Sequence, residues 1–311
     1  LGQVTYTPDG SKYIRVKNTR LNEPAQVDIY DFDRCTGLLS NQLTIIRDYE
    51  GFKFGIGVSC SPDSRYLYVM QAIYAYQYDL LAPEIAATET VIGMHDGFRS
   101  MSYPDYFWLG QLAPDGRIYV GTVNTGRHLS YIKHPTRAGT ACEFVPHGIY
   151  MGVANHGGMP NHPNYRLGPL DGSPCDTLGL DNHPLANFRW EHEDSTDIHQ
   201  VTFTDLSAYE PASWQWTFGD GNSSTERYPI HRYAQNGVYT ACLVVKNQFS
   251  SDTFCQKVYI GVTAQDNPEI QNRIEVWPNP FSERLVLAFS TPSLRSPVLR
   301  LYDVAGRLVL T

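Results

Sequence analysis

The sequence predicts an all-β protein, and three observations carry that prediction. The 21 Tyr, 13 Phe and 5 Trp stand beside 25 Gly and 20 Pro, a mixture that suits many short strands punctuated by turns. No stretch sustains a 3.6-residue apolar period. One turn pattern also recurs, as Thr7-Pro8-Asp9-Gly10, Ser61-Pro62-Asp63-Ser64 and Ala113-Pro114-Asp115-Gly116, each time followed by a Tyr- and Val-rich run. At 311 residues the chain exceeds one typical domain, so two or three cores are expected.

Taken in order, the first region is organised by that repeat. Pro8, Pro62 and Pro114 lie 54 and 52 residues apart, a period that fits one four-stranded propeller blade with the Pro-Asp-Gly/Ser hairpin at its centre. Further strands are expected at Val27 to Phe32, before the turn Cys35-Thr36-Gly37, and at Ala75 to Leu80. The repeats resemble those of WD40-like and YVTN-like bacterial β-propellers. The resemblance implies that residues 1–182 form blades of a partial β-propeller, incomplete at its N-terminal side. Three blades leave a bare edge, so earlier blades precede them or another chain covers that edge. The stretch His156 to Tyr165 reads as the last blade strand and its exit, and Leu167 to Asn182 as a Gly/Pro/Asp-rich linker.

The second region, residues 183–263, alternates in the manner of a small sandwich. Trp216 and Phe218 mark one strand, and Gly219-Asp220-Gly221-Asn222 is a tight turn. Gly237 then opens a strand whose Tyr239, Ala241, Leu243 and Val245 share a face. With His231, Tyr233 and the upstream Phe203-Thr204-Asp205-Leu206-Ser207, the run resembles a PKD domain, an immunoglobulin-like module of extracellular proteins. Asp220 sits between two glycines, where a short carboxylate serves neighbouring backbone amides, and His231 reads as a hydrogen-bonded corner residue.

Six cysteines, Cys35, Cys60, Cys142, Cys175, Cys242 and Cys255, are spaced too widely for a zinc ribbon or a redox pair, and their even number favours disulfides. Counting back through a turn at Asn247 to Ser250 sets Cys242 opposite Cys255 on the solvent face, with Leu243 opposite Phe254 and Tyr239 opposite Val258 on the core side. A Cys242–Cys255 disulfide is therefore expected. Spacing does not pair the other four.

Residues 264–311 carry Trp277-Pro278-Asn279-Pro280-Phe281 and, further on, Leu301-Tyr302-Asp303 with Gly306-Arg307. Alternation at Leu285, Leu287 and Phe289 and a run from Val298 to Tyr302 add strands. This pair of motifs resembles the type A C-terminal sorting domain of the bacterial type IX secretion system, with Trp277 at a position usually held by tyrosine and fewer strands than the family has. The implied fold is a truncated β-sandwich. The implied partners are the secretion translocon and its attachment machinery, and the implied source is a Bacteroidota-type bacterium.

Composition narrows the function further. The formal charge is −8 and basic residues are scattered, which argues against a nucleic-acid surface. No transmembrane run is encoded, and Leu1 opens directly into strand-like sequence, so the N-terminus reads as missing or processed. His147, His156 and His162 have gaps that fit no short metal chelate and read instead as histidines of propeller-rim loops, and Asp31 and Asp33 read as solvated turn carboxylates. No cofactor motif and no nucleophile, zinc-protease or phosphate-loop pattern occurs. The expectation is a secreted or cell-surface, non-catalytic binding protein, attached at the outer membrane and contacting proteins or glycans. The alternative is the accessory part of an exported hydrolase whose catalytic domain lies upstream of Leu1.

Overall fold

The computed structural model describes residues 2–17, 24–47, 56–100, 102–123, 125–155, 157–159, 164, 166–194, 197–261, 274–277, 286–289, 301–302 and 308–310. Three four-stranded antiparallel meanders come first. They are β1 (Val4–Tyr6), β2 (Lys12–Lys17), β3 (Ala25–Phe32) and β4 (Leu39–Arg47); β5 (Ile56–Cys60), β6 (Tyr66–Gln71), β7 (Tyr74–Asp79) and β8 (Thr90–Met94); and β9 (Phe107–Leu112), β10 (Ile118–Thr122), β11 (Gly126–Ile132) and β12 (Phe144–Asn155).

The recurrent turn does the same work in each sheet. In the first, Asp9 accepts from the Ser11 amide at 2.9 Å and Gly10 takes φ +70°, which reverses the chain between β1 and β2. All three Pro-Asp hairpins join the first and second strands of their sheets. The expected position at the centre of the blade is therefore corrected: the third and fourth strands follow outside the hairpin, because each meander runs in simple chain order.

Stacking follows from strand alternation. Ile14, Val16, Val27 and Ile29 pack on Ile56, Val58, Leu67 and Val69 of the second sheet. From the opposite face of β6, Tyr66, Tyr68 and Met70 pack on Phe107, Ile118 and Val120 of the third. All six residues of β6 are buried, and its first five, Tyr66 to Met70, read as an unbroken apolar run. At the inner edge, Gln3 ties the sheets together. Its Nε2 donates to Gly110 O at 2.7 Å, and its Oε1 accepts from Val58 N at 2.9 Å and Gly110 N at 3.2 Å. Gly57 permits the approach of β5 to β9, since a Cβ there would lie 2.1 Å from Trp108 O.

One expectation near the end of this region is corrected, and another lies largely outside the described residues. Among the described residues the last strand of the third sheet is β12, which ends at Asn155, and most of the stretch His156 to Tyr165, expected as the last blade strand and exit, lies outside the described residues. Gly157, at φ +81°, follows β12, and the described residues 157–159 and 164 of that stretch form no strand. His147 stands inside β12 and not on a rim loop. His156 and His162 lie outside the described residues.

The second module is a two-sheet sandwich of β13 (Phe188–Asp194), β14 (Asp197–Asp205), β15 (Ser213–Thr217), β16 (Ser223–Ser224), β17 (Ile230–Arg232), β18 (Gly237–Lys246) and β19 (Ser251–Ile260). One sheet has the order β13-β14-β17 and the other β16-β15-β18-β19. Phe188, Phe203, Trp216, Phe218, Leu243, Val245 and Val258 fill the space between them. In the third region, β20 (Ile274–Trp277) pairs with β21 (Val286–Phe289), and β22 (Leu301–Tyr302) with β23 (Leu308–Leu310).

Candidate functional site

The aromatic motif of the sandwich folds in on itself. Trp216 is fully buried, its indole N–H donates to Glu226 O at 2.8 Å, and the rings of Phe188 and Phe203 stand 5.0 and 5.5 Å away. Phe218 stacks flat on His231 at 4.1 Å. His231 Nε2 meets Asp220 Oδ2 at 2.7 Å, while Asp220 Oδ1 accepts from Asn222 N at 3.0 Å. Burial pushes the Asp220 carboxyl up, but the Asn222 amide and His231 outweigh it and hold the group below its ordinary range. Tyr233 donates its hydroxyl to Phe218 O at 3.0 Å and stacks on Tyr239 at 4.3 Å. Gly219, at φ +82°, passes so close to Thr240 that a Cβ would lie 2.6 Å from its carbonyl oxygen. Gly221 takes φ +94° at the turn, and Gly237 begins β18. The polar groups of Asp220, His231 and Tyr233 thus serve the corner itself.

Two disulfides close loops. Cys242 and Cys255 face each other in the β18–β19 ladder, Cα atoms 4.1 Å apart. Cys35 is bridged to Cys175, Cα atoms 5.5 Å apart, which fastens the connector after the third sheet to the outer turn of the first. An all-disulfide set, favoured by the even count, is corrected: Cys60 and Cys142 are buried thiols, pushed upward in pKa by burial. Both lie inside apolar packing between sheets, where a side chain of that size fills space as a small hydrophobe.

Of the other candidates, Asp31 binds Lys12 Nζ at 2.8 Å and Asn41 at 2.8 Å. Asp33 accepts from the Cys35 and Thr36 amides at 2.8 and 3.2 Å. His147 Nε2 meets Asp96 Oδ1 at 3.1 Å, and its ring stacks on Phe98 at 4.0 Å. These are local turn and strand contacts.

The most concentrated chemistry lies where no motif pointed, at the seam between the Pro-Asp hairpins and the sandwich. Arg189 of β13 donates to Asp115 O at 2.6 Å, and Gly116 packs under Leu206. Pro62 of the second hairpin and Arg189 and Tyr228 of the sandwich line one cleft of about 160 Å³. At the first hairpin, Asn164 donates to Pro8 O at 2.7 Å, and the neighbouring Arg34 reaches Glu210 at 3.2 Å.

Ion pairs fill the seam. Arg117 Nη2 lies 2.5 Å from Glu191, which also pairs with Arg189. Both Nη atoms of Arg137 bond Glu193, one of them at 3.0 Å to Oε2, and Nη2 reaches Thr202 Oγ1 at 3.0 Å. Arg137 holds the Glu193 carboxyl at about 2, well below its ordinary 4.5. Lys133 Nζ contacts Glu143 at 3.0 Å and Glu193 O at 3.1 Å. Enclosed by these groups, His134 is 3 % exposed, and burial together with Arg137 lowers its pKa to about 4. Its Nδ1 stands 3.7 Å from Glu191 Oε1 and its Nε2 3.9 Å from Glu143 Oε1. His134, Glu143 and Glu193 each bring one ligand-type atom within 4.8 Å of the others.

The expected sorting residues Pro278, Asn279, Pro280, Phe281, Asp303, Gly306 and Arg307 lie outside the described residues, while Leu301 and Tyr302 form β22. Among the described residues no helix is long and apolar enough to cross a membrane.

Residues 182–262 match the family profile of the PKD domain. Collagenase ColA of Bacillus cereus is 35% identical over 79 residues, 25% of this chain and 7% of that protein's length. The PKD1 domain of the Vibrio cholerae metalloprotease PrtV is 29% identical, covering 25% of this chain and 98% of that domain, with a TM-score of 0.23. A periplasmic gluconolactonase of Pseudomonas aeruginosa, PpgL, aligns over 98% of this chain and 76% of its own at 12% identity and a TM-score of 0.32. The chain thus spans a small fraction of the curated relative it matches. Family profile and sandwich topology agree on one assignment: residues 182–262 are a PKD domain, seated on the Pro-Asp hairpins of a three-sheet β-fan.

Proposed function

We propose that this chain is a non-catalytic binding or adhesion protein of the cell surface or extracellular space, organised as propeller blades over 1–182, a PKD domain over 183–263 and a type IX sorting domain over 264–311. The observation that carries the reading is the PKD domain itself. Its motif residues are committed to packing, and its two cysteines are bridged on the outer face, an arrangement suited to an oxidising compartment. The blade surfaces and the PKD face would contact proteins or glycans, and the sorting region would be read by the translocon and attachment machinery of a Bacteroidota-type cell. A second reading, an accessory region of an exported hydrolase, draws on the likeness of this module to a segment of a collagenase.

The export reading is tested by fusing the complete sorting domain, from about Arg273 onward, to an unrelated folded reporter in a type IX-competent host. The reporter should cross the outer membrane, and a control fusion ending at Gly261 should not. Equal export of both would remove the address assignment.

A further inference from the structure

The pairing of a buried histidine with carboxylates from both modules goes beyond the binding role proposed above. We propose that His134, Glu143 and Glu193 form a divalent transition-metal site, of the Zn²⁺ class, that clamps the PKD domain to the third sheet.

His134 is the observation that turns an acidic cluster into a site. It is 3 % exposed and its Nε2 has no hydrogen-bond partner, a costly state for a buried ring nitrogen. The other ring nitrogen, Nδ1, faces Glu191 Oε1 at 3.7 Å. At that distance the contact is electrostatic and not a hydrogen bond, and a carboxylate on that side favours the tautomer with its lone pair at Nε2, the support a metal-binding imidazole has. Nε2 then looks towards Glu143 Oε1 at 3.9 Å. Ligand atoms about 3.3–3.5 Å apart surround a tetrahedral Zn²⁺ with bonds near 2.0–2.1 Å, so modest side-chain closure suffices.

The surrounding cations compete with the metal but retain acceptors when it binds. Lys133 would leave the Glu143 carboxylate and keep Glu193 O, now at 3.1 Å. Arg137 would keep Glu193 Oε2 at 3.0 Å and Thr202 Oγ1 at 3.0 Å while Oε1 turns to the metal. Two carboxylates and a neutral imidazole balance the dication. His134 lies just past the end of β11 and Glu143 directly before β12, both in the third sheet's last hairpin, whereas Glu193 belongs to β13 of the PKD domain. The metal would therefore bridge the two modules, with one position left for water.

The test uses tag-free protein of residues 1–311, stripped with chelator and titrated with Co²⁺ and then Zn²⁺. The expected result is one equivalent of Co²⁺ giving visible d–d absorption of a four-coordinate centre, displaced by Zn²⁺, with Zn²⁺ raising the melting temperature. Glu143 is half-exposed, so Glu143→Gln should fold normally and bind at least about tenfold more weakly; Glu191→Gln should weaken binding by roughly 10–100-fold. His134→Gln should abolish the absorption. Absence of the band in the parent protein, or a band unchanged in Glu143→Gln, overturns the proposal.

Discussion

Replacing Glu193 by Gln removes one charge from the seam while keeping its shape. In the folded chain Arg137 holds this carboxyl at about 2, against an ordinary 4.5, so the shift of about 2.5 pH units corresponds to roughly 3.4 kcal/mol at 1.36 kcal/mol per unit. The side chain is 19 % exposed, and solvent screening reduces the expected cost of the substitution to about 1–2 kcal/mol at pH 7. The sign is fixed by linkage. A depressed carboxyl stabilises the fold fully above its unfolded pKa, near 4.5, and the contribution disappears as pH falls towards 2. Urea unfolding of parent and Glu193→Gln proteins, with chelator present, should show a gap at pH 7 that narrows below about pH 5 and falls to about a quarter of its size by pH 2.5. Other carboxylates titrate in both proteins and cancel in the difference. A gap below about 0.3 kcal/mol at pH 7, or one of constant size across this range, would refute the electrostatic account of the seam.

Two further outcomes are expected in the PKD domain. Trp216→Ala empties the centre of the sandwich and should cost about 3–5 kcal/mol by chemical denaturation; a loss under about 1.5 kcal/mol would mean the indole is not the core anchor. Cys242→Ser opens a short covalent loop and should cost about 2–3 kcal/mol, with non-reducing peptide mapping of the parent recovering Cys242 joined to Cys255; free thiols in oxidised parent protein would contradict this.

Local chemistry was the legible part of the sequence. Pro-Asp-Gly/Ser turns marked three hairpins because each carries its own φ and hydrogen-bond requirements. The Cys242 register followed from counting through a short turn, since antiparallel pairing has a fixed period. The seam was hidden because Arg117 and Glu191 are 74 residues apart, and no periodicity relates a hairpin residue to a strand of another module. His134 carries no sequence signal for the same reason: its neighbours Glu143 and Glu193 are brought to it by tertiary packing and not by spacing along the chain. His147 was expected on a rim loop, yet β12 continues through it with a register shift against β11, which no local spacing of histidines reveals.

The Cys35–Cys175 bridge has a mechanical consequence. Tension applied to the chain from its two sides would pass across the sulfur atoms and bypass all 139 residues between them. Roughly 460–500 Å of extended polypeptide would stay slack inside that covalent ring until the bond was reduced. The covalent path would bypass β4 and the second and third sheets, leaving β1 to β3 and the PKD domain directly in line with the pull.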